Sequence, residues 1–222
     1  MNDLFNELEE KIQYKFKNRN LLKIALTHSS YANEHNLENN ERMEFLGDAV
    51  LELSVSKYLY NNDKHDEGIL TKTRAKLVCE QALNIYASKF DFAKYIFLGH
   101  GEEATGGRTR KAIIADALEA LLGAIFLDSD FNTVCNIVYE LFIPYIDLAL
   151  ENKDYKSILQ EKLQSEKRNI RYEIVSEEGM PNDKTFEAVV YMDDIIMGRG
   201  IGKSKKEAEM ASAKNALEKE AR

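Results

Sequence analysis

Long apolar runs are absent from this chain of 222 residues. Without about 18 consecutive apolar residues, no membrane-spanning helix is expected. The N-terminus, MNDLFNELEEKIQYKFKN, is charged throughout and does not read as a secretory leader. A cytoplasmic location is the expectation. Cysteine is scarce: Cys79 and Cys135 stand too far apart for a zinc spacing, and both fall in apolar helical stretches where reduced core thiols are expected. No Gly-rich G-x-x-x-x-G-K-[ST] loop occurs, which argues against nucleotide hydrolysis of that kind. Net positive charge is missing as well. The 30 Lys and Arg against 38 Asp and Glu leave −8, so nucleic-acid binding cannot rest on bulk charge. There is no internal repeat and no low-complexity tract.

What is there suffices for a medium and a small domain, with 44% hydrophobic residues to supply cores. Residues 1–150 show helical periodicity almost throughout, with breakers at 61–68 (NNDKHDEG) and 98–110 (LGHGEEATGGRTR), and predict an all-α domain. After a polar linker near 151–154 the pattern changes. A short amphipathic helix, YKSILQEKLQSEK, precedes three alternating segments separated by turn chemistry at 178–183 and at Asp193-Asp194. A last helix follows Ser204, with Glu207 three residues on as a capping box. Residues 154–222 are thus predicted to form a small α-β-β-β-α domain, and the whole a multidomain α and α+β chain. Charge is divided unequally. Residues 1–153 hold 17 basic against 24 acidic side chains, a net of −7, and residues 154–222 hold 13 against 14, a net of −1.

The helical stretch NNERMEFLGDAVLELSV carries acids in an apolar setting. Glu41, Glu44 and Asp48 share one stripe at i, i+3 and i+7, with Glu52 a turn further on, while Met43, Leu46, Val50, Leu51 and Leu53 occupy the other sides. KAIIADALEALLGAIFL repeats the oddity with Asp116 and Glu119 three apart. A lone helix acid is ordinarily a solvated surface group. Two acidic sets on two apolar helices call for neutralisation, because a buried unpaired carboxylate costs several kcal/mol. Arg42 and Lys111 are too few to serve them all. Oxygen-only ligation selects a hard cation, Mg²⁺ or Mn²⁺ rather than Zn²⁺, and such an ion suits phosphodiester hydrolysis without a protein nucleophile. Glu67, in DEGIL, is either a further acid of such a site or a helix N-terminal charge. His28 and His100 sit in loops and are not assigned roles.

In the second domain Lys203, Lys205 and Lys206 gather at the start of the last helix, where free N–H groups already favour an anion. Gln160 and Gln164, one turn apart on the first helix, can reach 2′-hydroxyls or base edges in the shallow groove of A-form RNA. Singly these are ordinary solvated residues. Clustered in a near-neutral module, they point to recognition of duplex shape.

On these motifs the chain resembles the ribonuclease III family. NERMEFLGDAVLELSVS and GHGEEATGGRTRKAIIADALEALLGAIFLDSD are similar to its two acidic segments, and LQEKLQ with GIGKSKKEAEMASAKNAL to its double-stranded-RNA-binding domain. The resemblance covers nearly the whole chain. It implies a Mg²⁺-dependent homodimeric endonuclease (Mn²⁺ substituting) that cuts double-stranded RNA to 5′-phosphate and 3′-hydroxyl ends with short 3′ overhangs, in ribosomal and messenger RNA processing. It also implies that Glu44, Asp48, Asp116 and Glu119 bind metal, with Asp48 and Glu119 most tied to catalysis. Glu41 and Glu67 become supporting acids, and Phe45 a plug at the dimer interface. One departure concerns the first hairpin, where Met180 and Asn182 replace the family's usual Pro and His. Asn182 is still expected to reach a 2′-hydroxyl. The rivals are a non-catalytic double-stranded-RNA-binding scaffold, which would lack acids, and a small-nucleotide phosphohydrolase, which would leave the second domain unexplained.

Overall fold

The computed structural model describes residues 2–151, 155–180 and 183–220. Apolar periodicity in the first part becomes helix after helix, packed around one that is buried nearly all round. Helices α1 (Asn2–Lys11), α2 (Arg19–Ala25) and α3 (Ser29–His35) lead into α4 (Glu41–Asn62). Helices α5 (Glu67–Leu77), α6 (Glu80–Ser88) and α7 (His100–Ala104) precede the central α8 (Lys111–Asp128), and α9 (Phe131–Phe142) and α10 (Ile146–Glu151) follow it. Ala117, Leu118, Ala120, Leu121, Leu122, Ala124 and Ile125 are buried and make α8 apolar on all but the side that carries Asp116 and Glu119.

Helices α4 and α8 touch backbone to backbone. A methyl group on Gly47 would lie 1.8 Å from the carbonyl oxygen of Glu119, and one on Gly123 would lie 2.3 Å from that of Met43. No side chain separates the two helices there, so these two glycines set the crossing point.

Three local expectations change. The breaker-rich stretch 98–110 contains α7 and a 3₁₀ turn at Gly107–Thr109. Arg108 holds it, donating from Nη1 to the carbonyls of Ala93 (2.7 Å) and Ile96 (3.1 Å) and pairing with Glu103, while Arg110 pairs with Glu102. Cys79 is exposed rather than a core thiol, because it occupies the extended residue between α5 and α6, whereas Cys135 is buried. The apolar segment 131–150 breaks into a 3₁₀ turn at Ile143–Tyr145 around Pro144, which lacks an N–H. Phe131–Leu150 is long and apolar enough on average to cross a membrane. Here Val134, Ile137, Val138 and Phe142 are buried in the core that α4 and α8 share, and the segment is amphipathic.

The chain divides into two units, Met1–Asn152 and Lys153–Arg222. In the second, α11 (Tyr155–Ser165) precedes β1 (Ile170–Met180), β2 (Asp183–Met192) and β3 (Ile195–Gly202), an antiparallel sheet in the order β1-β2-β3, and α12 (Lys205–Glu220) ends it. The α+β class expected from the alternating segments is the one found. Leu159, Leu163, Val190, Ala213 and Ala216 form its core. Glycines on one face of β3 let α12 lie directly on the strand: side chains at Gly198, Gly200 and Gly202 would meet backbone atoms of Ser212 at 2.3 and 2.1 Å and of Ala208 at 2.5 Å. The capping box is displaced by one residue. Ser204 Oγ accepts from the Glu207 N–H at 3.2 Å, but the Glu207 carboxylate accepts from the N–H of Lys203, at 2.9 Å.

Candidate functional site

The α4–α8 crossing sets one turn of each helix face to face. Glu44 lies one turn before Gly47, and Asp116 and Glu119 lie two turns and one turn before Gly123. Carboxylate oxygens of these three half-buried residues all come within 4.8 Å of one another. Asp48, one turn along α4, is more exposed and stands beside this trio, close enough for its charge to act on Glu44 and Glu119. Glu41 is exposed at the first position of α4 and acts on Glu44. Glu67 begins α5, is exposed, and is not among the groups that act on these acids.

Burial and mutual repulsion keep this cluster short of charge. Burial first, then Asp48, Asp116 and Glu44, push Glu119 up to about 8. Glu44 is raised by burial and by Asp116, Glu41 and Asp48. Asp116 is raised by burial and by Glu80, against an opposing influence of His28. Among the described residues no Lys or Arg forms an ion pair with any of the four. Carboxylate oxygens alone, converging at ligand spacing without a protein counter-charge, fit a hard divalent cation. Glu80 has no sequence signal of its own: it reads as a first-turn helix acid, and only the packing of α6 on α8 brings it near Asp116.

In the second unit, Gln160 and Gln164 are exposed one turn apart on α11. Lys203, Lys205 and Lys206 are exposed around the start of α12, with Lys205 Nζ 5.9 Å from the centre of the Phe186 ring. Asn182 lies outside the described residues, and Met180 ends β1. On α4, Phe45 is 82% exposed, Leu53 56% and Tyr60 78%. At 100° per residue these three form one apolar stripe about 22 Å long.

Comparison with known proteins gives the same division. The Ribonuclease-III-like family profile matches residues 18–146, and the double-stranded RNA binding motif matches residues 155–220. The chain is 48% identical over 219 residues to Ribonuclease 3 of Caldanaerobacter subterraneus subsp. tengcongensis, covering 96% of each chain. It is 46% identical over 222 residues to Ribonuclease 3 of Listeria monocytogenes, covering 97% of each. Among solved structures, the nuclease domain of Ribonuclease III from Campylobacter jejuni is similar, at 42% identity and a TM-score of 0.58 over 61% of this chain and 94% of that one.

Proposed function

The chain belongs to the ribonuclease III family, and from that premise we propose that it is a Mg²⁺-dependent endonuclease that cuts double-stranded RNA as a homodimer. The observation that carries the chemistry is the convergence of Glu44, Asp116 and Glu119 within 4.8 Å. With Asp48 these residues would hold the divalent ion the family requires. When bound, it supplies water activation at neutral pH and stabilises charge building on phosphate oxygens. Asp48 and Glu119 do the work nearest the reacting atoms, and Glu119 must give up its proton for the site to load. Glu41 and Glu67 are supporting acids. Products carry 5′-phosphates and 3′-hydroxyls with short 3′ overhangs, and a cytoplasmic location belongs to the same reading.

RNA is held by the second unit. Gln160, Gln164 and Asn182 address 2′-hydroxyls, and Lys203, Lys205 and Lys206 the phosphates, so shape is recognised and sequence is not. Lys205→Ala with Lys206→Ala is expected to weaken duplex binding and lower the slope of log K against log salt by up to about 2, one per lost phosphate contact. An unchanged slope in a filter-binding titration would place the duplex elsewhere.

The apolar stripe on α4 is read as the face covered by a second copy, with Phe45 as its plug. Phe45→Ala is expected to weaken the dimer by roughly 10³-fold, since a two-fold interface loses two rings at about 2 kcal/mol each. An unchanged dissociation constant by sedimentation would remove Phe45 from the interface. Incubation with an RNA duplex, its single strand and a DNA duplex, in Mg²⁺, Ca²⁺ or chelator, tests the whole reading. Cutting of the RNA duplex alone, in Mg²⁺, is the expected result. Binding without cutting would make the chain a scaffold.

A further inference from the structure

Glu44, Asp48, Glu52 and Ser56 follow one another along α4 at every fourth residue. Residues so spaced form a continuous ridge on a helix surface. The first two belong to the acid site, and Ser56 lies about 12 Å beyond Asp48 at the usual helical rise. A cation is docked at that far end. Arg74, on α5, donates from Nη1 to Ser56 Oγ at 3.1 Å, and Ser56 Oγ in turn donates to the Glu52 carbonyl at 2.7 Å.

Arg74 is half-buried yet has no counter-charge. Among the described residues it forms no ion pair, and Glu52, one turn before Ser56, is not paired with it. Arg19, Arg108 and Arg110 of the same unit are each held by a glutamate, Glu9, Glu103 and Glu102. Arg42 is unpaired as well, but it is exposed, so water serves it. A half-buried guanidinium has lost part of that hydration without replacing it. Only one of its N–H groups is occupied. The rest are open to an acceptor, and the planar fork matches a phosphate on two oxygens at once.

Two acceptors could face it from outside the subunit. A two-fold interface on α4 sets the same surface against itself, and the stripe beside Ser56, made by Phe45, Leu53 and Tyr60, offers apolar side chains and no acid. A strand held at the acids, by contrast, brings further phosphates within about 12 Å, a few nucleotides along. In a unit of net charge −7, such a strand needs a cation close to the cut.

Resting on the reading of the acids as the cutting site for double-stranded RNA, we propose that Arg74 grips a backbone phosphate of the strand being cut, a few nucleotides from the reacting one. Ser56 holds the guanidinium and leaves its open edge to the strand. The contact carries no sequence information; it fixes where along the strand the acids act.

The test uses the full chain and an RNA duplex in Ca²⁺, so that binding is read apart from cutting. Melting temperature and Mn²⁺ affinity of each variant are measured alongside. Arg74→Met keeps the apolar stem and removes the charge. It should bind the duplex about 10-fold more weakly, and the slope of log K against log salt should drop by about 1 for each subunit engaged. Its melting temperature should not fall, because an unpaired half-buried charge is gone, and Mn²⁺ should bind as in the wild type. Arg74→Lys should restore the slope but only part of the affinity, since an ammonium lacks the fork. A residue that merely packed α5 on α4 would lower the melting temperature and leave the slope alone, and that result would overturn the proposal. So would an unchanged slope with a dimer weakened in sedimentation, which would give Arg74 to a carboxylate of the partner subunit. Cutting by the wild type in Mg²⁺ checks the underlying reading separately. Without it the nuclease reading falls whatever Arg74 does; with it, an unchanged slope in Arg74→Met overturns the role of Arg74 alone.

Discussion

Glu119→Gln is expected to lower cleavage of an RNA duplex by about 10³-fold, the order found when one group that supports transition-state charge is removed from an active site, while duplex affinity stays within about twofold. Duplex binding belongs to the double-stranded RNA binding motif at residues 155–220, which does not include Glu119. The same variant should stabilise the metal-free fold. Folded Glu119 keeps its proton up to about pH 8, whereas the unfolded chain releases it near 4.5. Between those values the folded state holds more protons, so stability falls as pH rises through the window, the reverse of a salt-bridged acid. Partial exposure limits the gain from Gln to about 1–2 kcal/mol at pH 9, or roughly 2–8 °C in Tm. The gain should vanish below pH 4.5. Calorimetry in chelator at pH 4 and pH 9 reads this directly, and equal melting temperatures at pH 9 would remove Glu119 from the repelling cluster. A divalent ion reverses the balance. Its affinity should rise about tenfold per pH unit up to pH 8, one proton being released on binding.

Gly47→Ala should unfold the site from behind. The added methyl would sit 1.8 Å from the Glu119 carbonyl oxygen, and that atom is main chain, so no side chain can turn aside. Overpacking of this kind costs about 3 kcal/mol or more, well above the roughly 1 kcal/mol that alanine gains in helix propensity. Tm should fall by about 6–12 °C. What folds would hold α4 and α8 further apart, with Glu44 drawn away from Asp116 and Glu119. Mn²⁺ affinity should collapse with Tm, whereas Glu119→Gln separates the two. A variant that melts and binds like the wild type would show a looser crossing than the backbone contacts imply.

The acids themselves were legible because helical spacing is arithmetic: Glu44 with Asp48, and Asp116 with Glu119, share faces at any crossing angle. What brings the two faces together was not, since Gly47 and Gly123 leave no periodic trace and reveal their purpose only opposite each other's helix. Glu80 and His28 were hidden for a related reason. Their closeness to Asp116 comes from α6 and the α2–α3 turn folding back over sequence separations of 36 and 88 residues, which no local pattern encodes. In 98–110 the glycines advertised a loop, while the order comes from Arg108 reaching carbonyls at 93 and 96. Alternation alone identified the β strands, and a single side-chain bond displaced the capping box.

The unequal charge of the two parts bears on the order of events. A region with a net charge of −7 meets a polyanion across an electrostatic barrier, while the near-neutral region with its lysine cluster does not. Capture by the second unit turns the first encounter into an intramolecular one, at an effective concentration in the millimolar range for a short tether. Severing the chain near residue 153 would therefore slow the enzyme by starving it of substrate, and a sufficient excess of RNA should return the turnover of the isolated first unit.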